Sequence, residues 1–338
     1  MDEIAVGQIG YGYWGPNLAR QFSMLPGSRL SVLADQSPER RERAARALPG
    51  TRVVDRVEDV LEGPDTDAVV LATPTRAHTE HALRALRAGK HVFVEKPLAP
   101  TVEESEAIIC AARDAGRICM VGYLLLYHPA FQRLESMVRG GDLGRIFTLE
   151  SERTNLGTVQ ADENTWWRNG PHDLAMILQL VDSSPVWVTS FGQSFLRPGV
   201  EDVVFAGLRF ESGAIASIHV SWLSPHRRRR LSVVGSKAMA VFDDAEVSEK
   251  LRIYDRGVDY EPSYGSYGES LAMRFGDILI PAVASTEPLL IECQEFLDCI
   301  RDGREPRTSA AHSLAVDQVL AAADRSLRSG QPVELAPV

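Results

Sequence analysis

The stretch IAVGQIGYGYWGPNLARQF, residues 4–22, is an apolar run followed by closely spaced glycines and then by a helical pattern. Gly10, Gly12 and Gly15 have the spacing G-x-G-x-x-G where the predicted strand ends. Glycines at this spacing permit a tight turn, close approach of the backbone to a pyrophosphate, and packing of the helix on the strand. The N-terminal N–H groups of the helix would face the phosphates. The stretch therefore predicts a dinucleotide-binding turn, with an ordinary glycine-rich turn as the alternative.

The spacing of the apolar runs divides the rest of the chain into two parts. Up to residue 122 short runs alternate with helical patterns, which implies crossover connections and a parallel sheet covered on both faces. Beyond that point strand-like runs follow one another, which predicts helices packed on a large, mainly antiparallel open sheet. The 338 residues exceed what one core supports. We predict an α/β protein with a Rossmann domain over 1–122 and a second α/β domain over 123–338.

Composition excludes several classes of partner. A formal net charge of -10 argues against nucleic acid, whose phosphates call for a basic surface. No apolar run is long enough to span a membrane, and the N-terminus enters a predicted strand at once, without a leader. The 4 cysteines lack metal-binding spacing, so we expect no metal site. These features predict a cytoplasmic protein with no nucleic-acid or membrane partner.

Asp35 bears on the choice of cofactor. It follows the second predicted strand, about 20 residues after the last glycine, where a carboxylate accepts hydrogen bonds from the ribose hydroxyls of NAD. This position favours NAD. Arg40 or Arg41 would suit a 2′-phosphate, so NADP remains open, and a solvated Asp at a strand end is a third interpretation.

Four motifs carry a family resemblance: GYGYWGPN (10–17), ATPTRAH (72–78), VEKPLA (94–99) and GPHDL (170–174). With them the chain resembles the Gfo/Idh/MocA oxidoreductases, which include glucose-fructose oxidoreductase and inositol dehydrogenase. The resemblance implies a Rossmann domain followed by an α/β domain that supplies substrate contacts and often subunit contacts. It also implies an NAD(P)-dependent enzyme acting on a sugar, nucleotide sugar or cyclitol, and assembly into a homodimer or homotetramer.

By the same resemblance, Lys96 of the EKP motif lies between nicotinamide and substrate and is the predicted catalytic residue. Its place after a parallel strand agrees, since such sheets bind ligands at the carboxyl ends of their strands. The resemblance assigns cofactor contacts to the glycine motif, the TP motif and the EKP motif: Gly10, Gly12, Tyr13, Trp14, Gly15, Thr73, Pro74, His78, Glu95 and Lys96. His78 is equally well interpreted as an amphipathic-helix residue.

The second catalytic motif of the family has an aspartate four residues before a histidine, on a loop and the start of a helix. Here the histidine is His172, a suitable acid or base because imidazole titrates near neutral pH, with a capping or core histidine as the alternative. Position 168 is arginine. Arg168 cannot serve as a base, but its planar fork suits a carboxylate or phosphate. Asp173 is expected in the first helical turn, complementing the helix dipole.

Three further residues are predicted to bind substrate: Tyr123, Trp167 and His226. Each has a structural alternative: a core aromatic for Tyr123, loop packing for Trp167, and a solvated strand end for His226 and the arginines at 227–230. The sequence thus predicts hydride transfer between nicotinamide and a hydroxyl or keto carbon. Its rivals are a ketosugar reductase working in reverse and a non-catalytic NAD-binding ligand sensor, which the arginine at position 168 favours.

Overall fold

The computed structural model describes residues 3–157, 163–259 and 272–335. The chain forms two compact units, residues 1–127 with 286–318 and residues 128–285 with 319–338. This grouping differs from the sequence-based division at residue 122, because segment 286–318 returns to pack with the first unit. The pattern of apolar runs along a chain does not reveal such a return.

The first unit contains a six-stranded parallel sheet in the order β3-β2-β1-β4-β5-β6. Its strands are β1 (Ile4–Ile9), β2 (Ser28–Ala34), β3 (Arg52–Val54), β4 (Ala68–Leu71), β5 (His91–Glu95) and β6 (Cys119–Gly122). The order reverses between β1 and β4, and such sheets bind ligands at that switch point. The predicted Rossmann fold is confirmed.

Helices cover this sheet: α1 (Gly15–Met24), α2 (Pro38–Ala47), α3 (Glu58–Leu61), α4 (His78–Arg87), α5 (Val102–Ala115) and α8 (Pro288–Asp302). The Thr101 hydroxyl caps α5 by accepting from the N–H of Glu104, as the sequence suggests for such a pair. In the core the rings of Phe22, Phe93 and Phe296 meet edge to face, with centroids 5.7–6.2 Å apart. These contacts fasten α1 and the returning helix α8 onto β5.

The second unit contains a nine-stranded sheet in the order β14-β13-β12-β11-β7-β10-β9-β8-β15. Its strands are β7 (Ile146–Thr154), β8 (Pro185–Gln193), β9 (Val203–Phe210), β10 (Ile215–Ser221), β11 (Arg228–Gly235), β12 (Met239–Asp243), β13 (Leu251–Asp259), β14 (Ala272–Leu279) and β15 (Val333–Glu334). Strands β7 and β10 pair in parallel, and the other neighbouring strands of this sheet pair antiparallel. The expected mainly antiparallel sheet is confirmed.

The helices of this part are α6 (Pro129–Arg139), α7 (Thr165–Leu180) and α9 (Ala310–Ser329), the last of which begins in the first unit and ends in the second. Helix α7 packs on β7, β9 and β10, and buried and exposed residues alternate along β9. On the opposite face, called the open face below, Phe191, Phe205 and His219 form a stacked row across β8, β9 and β10. Among the described helices none has the length and apolar character to cross a membrane.

Candidate active site

The turn after β1 has a backbone that only glycine permits at two positions. Gly10 has φ +98, and a Cβ there would lie 2.4 Å from the carbonyl oxygen of Ala72. A Cβ on Gly15 would lie 2.5 Å from the carbonyl oxygen of Gly10. The fully buried Gln8 donates from Nε2 to the carbonyls of Gly10 (2.8 Å) and Gly15 (2.9 Å). Our sequence analysis missed Gln8, whose side-chain amide holds the turn in place through these two hydrogen bonds.

The start of α1 suits a phosphate group. Trp14 precedes the helix and makes no capping hydrogen bond through its side chain, and an uncapped N-terminus offers N–H groups to an anion. Tyr13 is 91% exposed. Gly12 is the remaining glycine of the motif. A Cβ added to it would meet only Arg40 Nη1, at 3.8 Å, so there is space above the turn. The residues present therefore fit the pyrophosphate of a dinucleotide.

Asp35 follows β2 and faces the same turn. Its carboxylate accepts from the N–H of Tyr11 (2.7 Å) and of Ser37 (2.9 Å), and Arg40 Nη1 lies 3.7 Å away. Arg41 donates to the carbonyls of Asp35 and Gln36, both at 2.9 Å. Each carboxylate oxygen keeps a second lone pair, so a ribose contact by Asp35 is compatible with these bonds.

Thr73, Pro74 and His78 lie in the connection from β4 to α4. The imidazole of His78 is 1% exposed and lies 2.9 Å from the carbonyl oxygen of Pro97 and 3.0 Å from that of Thr73. Burial lowers the pKa of His78, and a neutral imidazole has one N–H, so it donates to one of these carbonyls at a time. Thr73 Oγ1 is buried with no hydrogen-bond partner among the described residues. His78 thus holds the TP loop beside the EKP loop through the backbone.

The end of β5 reaches the glycine turn. Lys96 follows the strand and is half-buried, and the side chain of Trp14 hydrogen-bonds the carboxylate of Glu95. Burial raises the pKa of Glu95 to about 7, against the opposing effects of Lys96 and Trp14. Gly122 pairs with Glu95 across the sheet, and a Cβ there would lie 3.1 Å from Glu95 Oε1. The structure therefore brings Trp14, Glu95 and Lys96 together, as the resemblance implies.

Tyr123, by contrast, lies in the core of the first unit. It is 1% exposed, its hydroxyl is 3.0 Å from Ser313 Oγ, and its ring meets His312 edge to face. Burial raises the pKa of Tyr123 well above its ordinary value. These contacts fit the core alternative and leave the hydroxyl no room for the predicted substrate contact.

In the second unit, His172 lies inside a helix and not at the start of one. Helix α7 begins at Thr165, where Asn164 Oδ1 caps it by accepting from the N–H of Trp167 at 3.1 Å, and it continues through Pro171. The expectation of a loop before His172 is therefore wrong. Arg168 and His172, four residues apart, share one face of the helix and both are half-buried. Arg168 Nη1 lies 3.9 Å from Glu163 Oε2.

The expectation that Asp173 lies in the first helical turn is also wrong, because the first turn of α7 lies two turns earlier. Its buried carboxylate accepts from Arg153 Nε (2.6 Å) and Nη2 (3.1 Å) and from Ser151 Oγ (2.6 Å). The residue completes a bidentate ion pair between α7 and β7, which is the strongest geometry for such a pair. Our sequence analysis did not single out Arg153, since no local pattern links it to Asp173.

The remaining predicted substrate residues lie elsewhere in the second unit. Trp167 is half-buried on α7 and hydrogen-bonds Asp324, a carboxyl whose pKa burial raises. His226 is exposed, and its Nδ1 accepts from Arg228 Nε at 3.3 Å. Arg228 also binds Glu152 at 2.9 Å, and Arg229 binds Asp244 at 3.2 Å. These acidic partners and the alternation along β11 match the strand-end interpretation of the arginine run.

No group of three or more histidine, cysteine, aspartate or glutamate side chains suited to a metal ion occurs within 3–157, 163–259 and 272–335. Within the described residues, the chemistry of the site therefore rests on its acid–base groups and on the uncapped N-terminus of α1.

Comparison with known proteins matches this geometry. The family described as "Oxidoreductase family, NAD-binding Rossmann fold" matches residues 4–123, and the "GFO/IDH/MocA C-terminal domain" matches residues 131–241. The chain belongs to the Gfo/Idh/MocA oxidoreductases. It is an enzyme of that family and its cofactor is NAD, as predicted.

Relatives match most or nearly all of this Gfo/Idh/MocA chain. Scyllo-inositol 2-dehydrogenase (NAD(+)) of Bacillus subtilis is 26% identical over 98% of this chain and 95% of its own. 2,7-Anhydro-N-acetylneuraminate hydratase of Escherichia coli is 26% identical over 74% of this chain and 70% of its own. Among solved structures, UDP-N-acetylglucosamine 3-dehydrogenase from Acidithiobacillus ferrooxidans superposes with a TM-score of 0.84, at 26% identity over 97% and 99% of the two chains.

Proposed function

We propose that this chain transfers a hydride between nicotinamide and a hydroxyl or keto carbon of a sugar, nucleotide sugar or cyclitol. The observation that carries the proposal is the hydrogen bond from Trp14 to Glu95, which joins the glycine turn to the residue before Lys96. A lysine at this point is at the carboxyl end of a parallel strand, beside the phosphate-binding turn of the same unit. An amine at this position is placed to act at the reacting end of a bound dinucleotide.

The names of the relatives support the proposed substrate class. One acts on scyllo-inositol and a solved structure is a UDP-N-acetylglucosamine 3-dehydrogenase, so both oxidise a secondary hydroxyl on a ring. The half-buried polar side chains of Arg168, Asn169 and His172 on α7 suit a hydroxyl-rich ligand.

Bound NAD would supply the hydride acceptor or donor. Lys96 and His172 would hold or remove the proton of the reacting hydroxyl, since an amine and an imidazole each accept a proton in the neutral form and donate one in the protonated form. Arg168 would bind a carboxylate or phosphate of the substrate through its planar fork. Trp167 would contribute an apolar wall beside it.

Two alternatives use the same residues. A ketosugar reductase runs the reaction in the opposite direction, with Lys96 and His172 donating the proton. A ligand sensor keeps the cofactor and binds substrate without turnover, and the arginine at position 168 favours it because the family aspartate is absent there.

The experiment is a cofactor-absorbance screen of the purified protein, with NAD⁺ and NADH in turn, against sugars, UDP- and dTDP-sugars, and inositols. Reduction of NAD⁺ by one class identifies a dehydrogenase, and oxidation of NADH by a keto form identifies a reductase. Binding of a sugar by calorimetry with no absorbance change in either direction would establish the sensor instead. The same protein should bind NAD(H) more tightly than NADP(H) if Asp35 contacts the ribose.

The open face also supports assembly into a homodimer or homotetramer. Phe191 is 68% exposed and stacks on Phe205 at 5.1 Å, which in turn stacks on His219 at 4.1 Å. Exposed aromatic rows of this kind are unusual on a monomer. Light scattering that gave only a single-chain mass at micromolar concentration would contradict this assembly.

A further inference from the structure

A second carboxyl lies behind the EKP motif, on the returning helix α8. Glu292 is 1% exposed, and its Oε1 has no hydrogen-bond partner within the described part of the chain. Buried carboxyls are rare unless they are paired, because removing a charge from water is costly. The hydride-transfer proposal does not use this residue, so its presence calls for an explanation.

The register of α8 on β5 sets Glu292 opposite Glu95. Phe93 and Glu95 are two residues apart on β5 and face the same side of the sheet. Phe296 and Glu292 are four residues apart on α8 and share one face of that helix. Phe93 and Phe296 touch, with ring centroids 5.7 Å apart. From this aromatic contact, Glu95 is the next residue on the same side of β5, and Glu292 is one turn closer to the start of α8. We call these two carboxyls the acid pair.

The space for the acid pair is shaped by its neighbours. Gly122 on β6 makes room for the carboxylate of Glu95, since an added Cβ would lie 3.1–3.3 Å from its three carboxyl atoms. Lys96 is the charged group that lowers the pKa of Glu95, and the charge of Glu292 in turn raises the pKa of Tyr127 and Cys293. Of these three, only the lysine is cationic, and it follows Glu95 directly.

We propose that Glu292 keeps its proton at neutral pH while Glu95 takes up and releases a proton in step with the redox state of the bound cofactor. The pair would then be a proton acceptor behind Lys96, with Glu292 as a positioning residue.

The charge balance supports two different protonation states. Burial, and then the charge of Glu95, raise the pKa of Glu292 well above its ordinary value, whereas burial raises the pKa of Glu95 to about 7. Two neighbouring carboxyls do not both ionise readily, so the one with the higher pKa keeps its proton when the other has lost its own. Glu95 is thus the member that titrates near neutral pH.

The link to redox state rests on the proposed hydride transfer. The nicotinamide ring is cationic in NAD⁺ and neutral in NADH, and a nearby positive charge favours an ionised carboxyl. Oxidation of an alcohol moves a hydride to nicotinamide and leaves the hydroxyl proton. In our proposal that proton passes to Lys96 and on to Glu95, whose affinity for protons rises as the ring loses its charge.

The test uses cofactor binding and needs no substrate, so its result is independent of the substrate screen. Calorimetric titration of the full chain with NAD⁺ and with NADH at pH 7, in two buffers of different ionisation enthalpy, gives the number of protons exchanged per cofactor. NAD⁺ should release more protons than NADH, and Glu95→Gln should remove this difference. The affinity for NAD⁺ should rise as pH increases through about 7, by about tenfold for each unit by which NAD⁺ lowers the pKa of Glu95. An equal difference in the wild type and Glu95→Gln would overturn the proposal.

A second measurement tests Glu292. The folded protein keeps this proton and the unfolded chain loses it, so the acid lowers stability increasingly as pH rises. Glu292→Gln mimics the protonated acid, so its Tm should exceed that of the wild type by a margin that grows from pH 6 to pH 9. Infrared spectra at pH 8 should show a protonated carboxyl band in the wild type that Glu292→Gln lacks. Absence of both effects would mean that Glu292 is ionised and the proposal is wrong.

Asp317 on α9 offers a matched control. It is also 1% exposed, and burial raises its pKa to about 7, but its carboxylate binds Ser105 Oγ at 2.7 Å. Asp317→Asn should change the pH dependence of Tm in the same direction and leave the difference in proton release between NAD⁺ and NADH intact. If Asp317→Asn removed that difference as Glu95→Gln does, the acid pair would not be its source.

Discussion

The glycine turn and helix α7 carry the predicted functional residues in different ways. In the turn, the backbone is the constraint: Gly10 and Gly15 leave no space for a side chain, and Gln8 binds both carbonyls. On α7, the backbone is a regular helix, and the arrangement depends on side chains such as the buried pair Arg153–Asp173. A backbone-determined site leaves a local motif in the sequence, whereas a site held by distant side chains does not.

The first prediction concerns the residue on which catalysis depends most. Lys96→Ala should reduce the rate of hydride transfer about 10²- to 10⁴-fold, the usual contribution of a positioned acid or base, with NAD affinity largely unchanged. Stopped-flow absorbance and calorimetry give the two quantities. Lys96→Arg, which keeps the charge but cannot lose a proton, should also be inactive; if it retained wild-type turnover, the role of Lys96 would be electrostatic only.

The second prediction sharpens the account of α7. Asp173→Ala leaves the guanidinium of Arg153 buried without its counter-ion, which should lower the free energy of unfolding by about 3–5 kcal/mol. Denaturant titration measures this loss. Asp182→Ala, at an exposed position just after the same helix, should cost less than about 0.5 kcal/mol. A loss as small as that of Asp182→Ala would show that the pair Arg153–Asp173 does not stabilise the fold.

The third prediction separates two glycines of one motif. Gly10→Ala should lower stability by about 1–3 kcal/mol through its positive φ alone, and more through the contact with Ala72. Gly12→Ala meets no close atom, so its Tm without cofactor should match the wild type while its NAD affinity falls, because the pyrophosphate needs that space. Equal stability losses in the two variants would show that the turn is not limited by its backbone as described.

The fourth prediction concerns the binding of substrate by Arg168. Loss of a charge-assisted bidentate contact typically costs about 2 to 5 kcal/mol, so Arg168→Ala should raise KM more than tenfold if Arg168 binds an anionic substrate. Arg168→Asp should weaken that substrate further. If Arg168→Asp instead gained activity on neutral sugars or inositols with native ligand binding unchanged, the anion-binding proposal would be wrong.

The sequence predicted the Rossmann unit well because each of its signals is local. The glycine spacing, the strand end at Asp35 and the EKP motif all concern a few consecutive residues, and the structure places Trp14, Glu95 and Lys96 together. In the second unit the family resemblance implied a loop and a helix start before His172, whereas the helix continues through Gly170 and Pro171. The helix tolerates them, and an added Cβ on Gly170 would meet the ring of the buried Trp166 at 3.0 Å.

Two of the three residues that our sequence analysis missed share one property. Gln8 binds within the turn it supports, but Arg153 and Glu292 reach their partners from distant points of the chain, β7 and the returning helix α8. A contact between segments so far apart has no signature in a single sequence. Tyr123 shows the converse, because the sequence analysis assigned it to substrate where the structure has a core hydroxyl bound to Ser313.

The return of segment 286–318 to the first unit has a consequence for biosynthesis. The aromatic face of Phe22 and Phe93 is covered by Phe296, which the ribosome adds long after the other two. The aromatic face of the nascent Rossmann unit therefore stays uncovered while the whole intervening unit is synthesised. Nascent chains with uncovered apolar surface are prone to aggregate and are what chaperones bind. A gene truncated before residue 286 should for this reason yield an aggregation-prone product, although it encodes every residue of the dinucleotide motif.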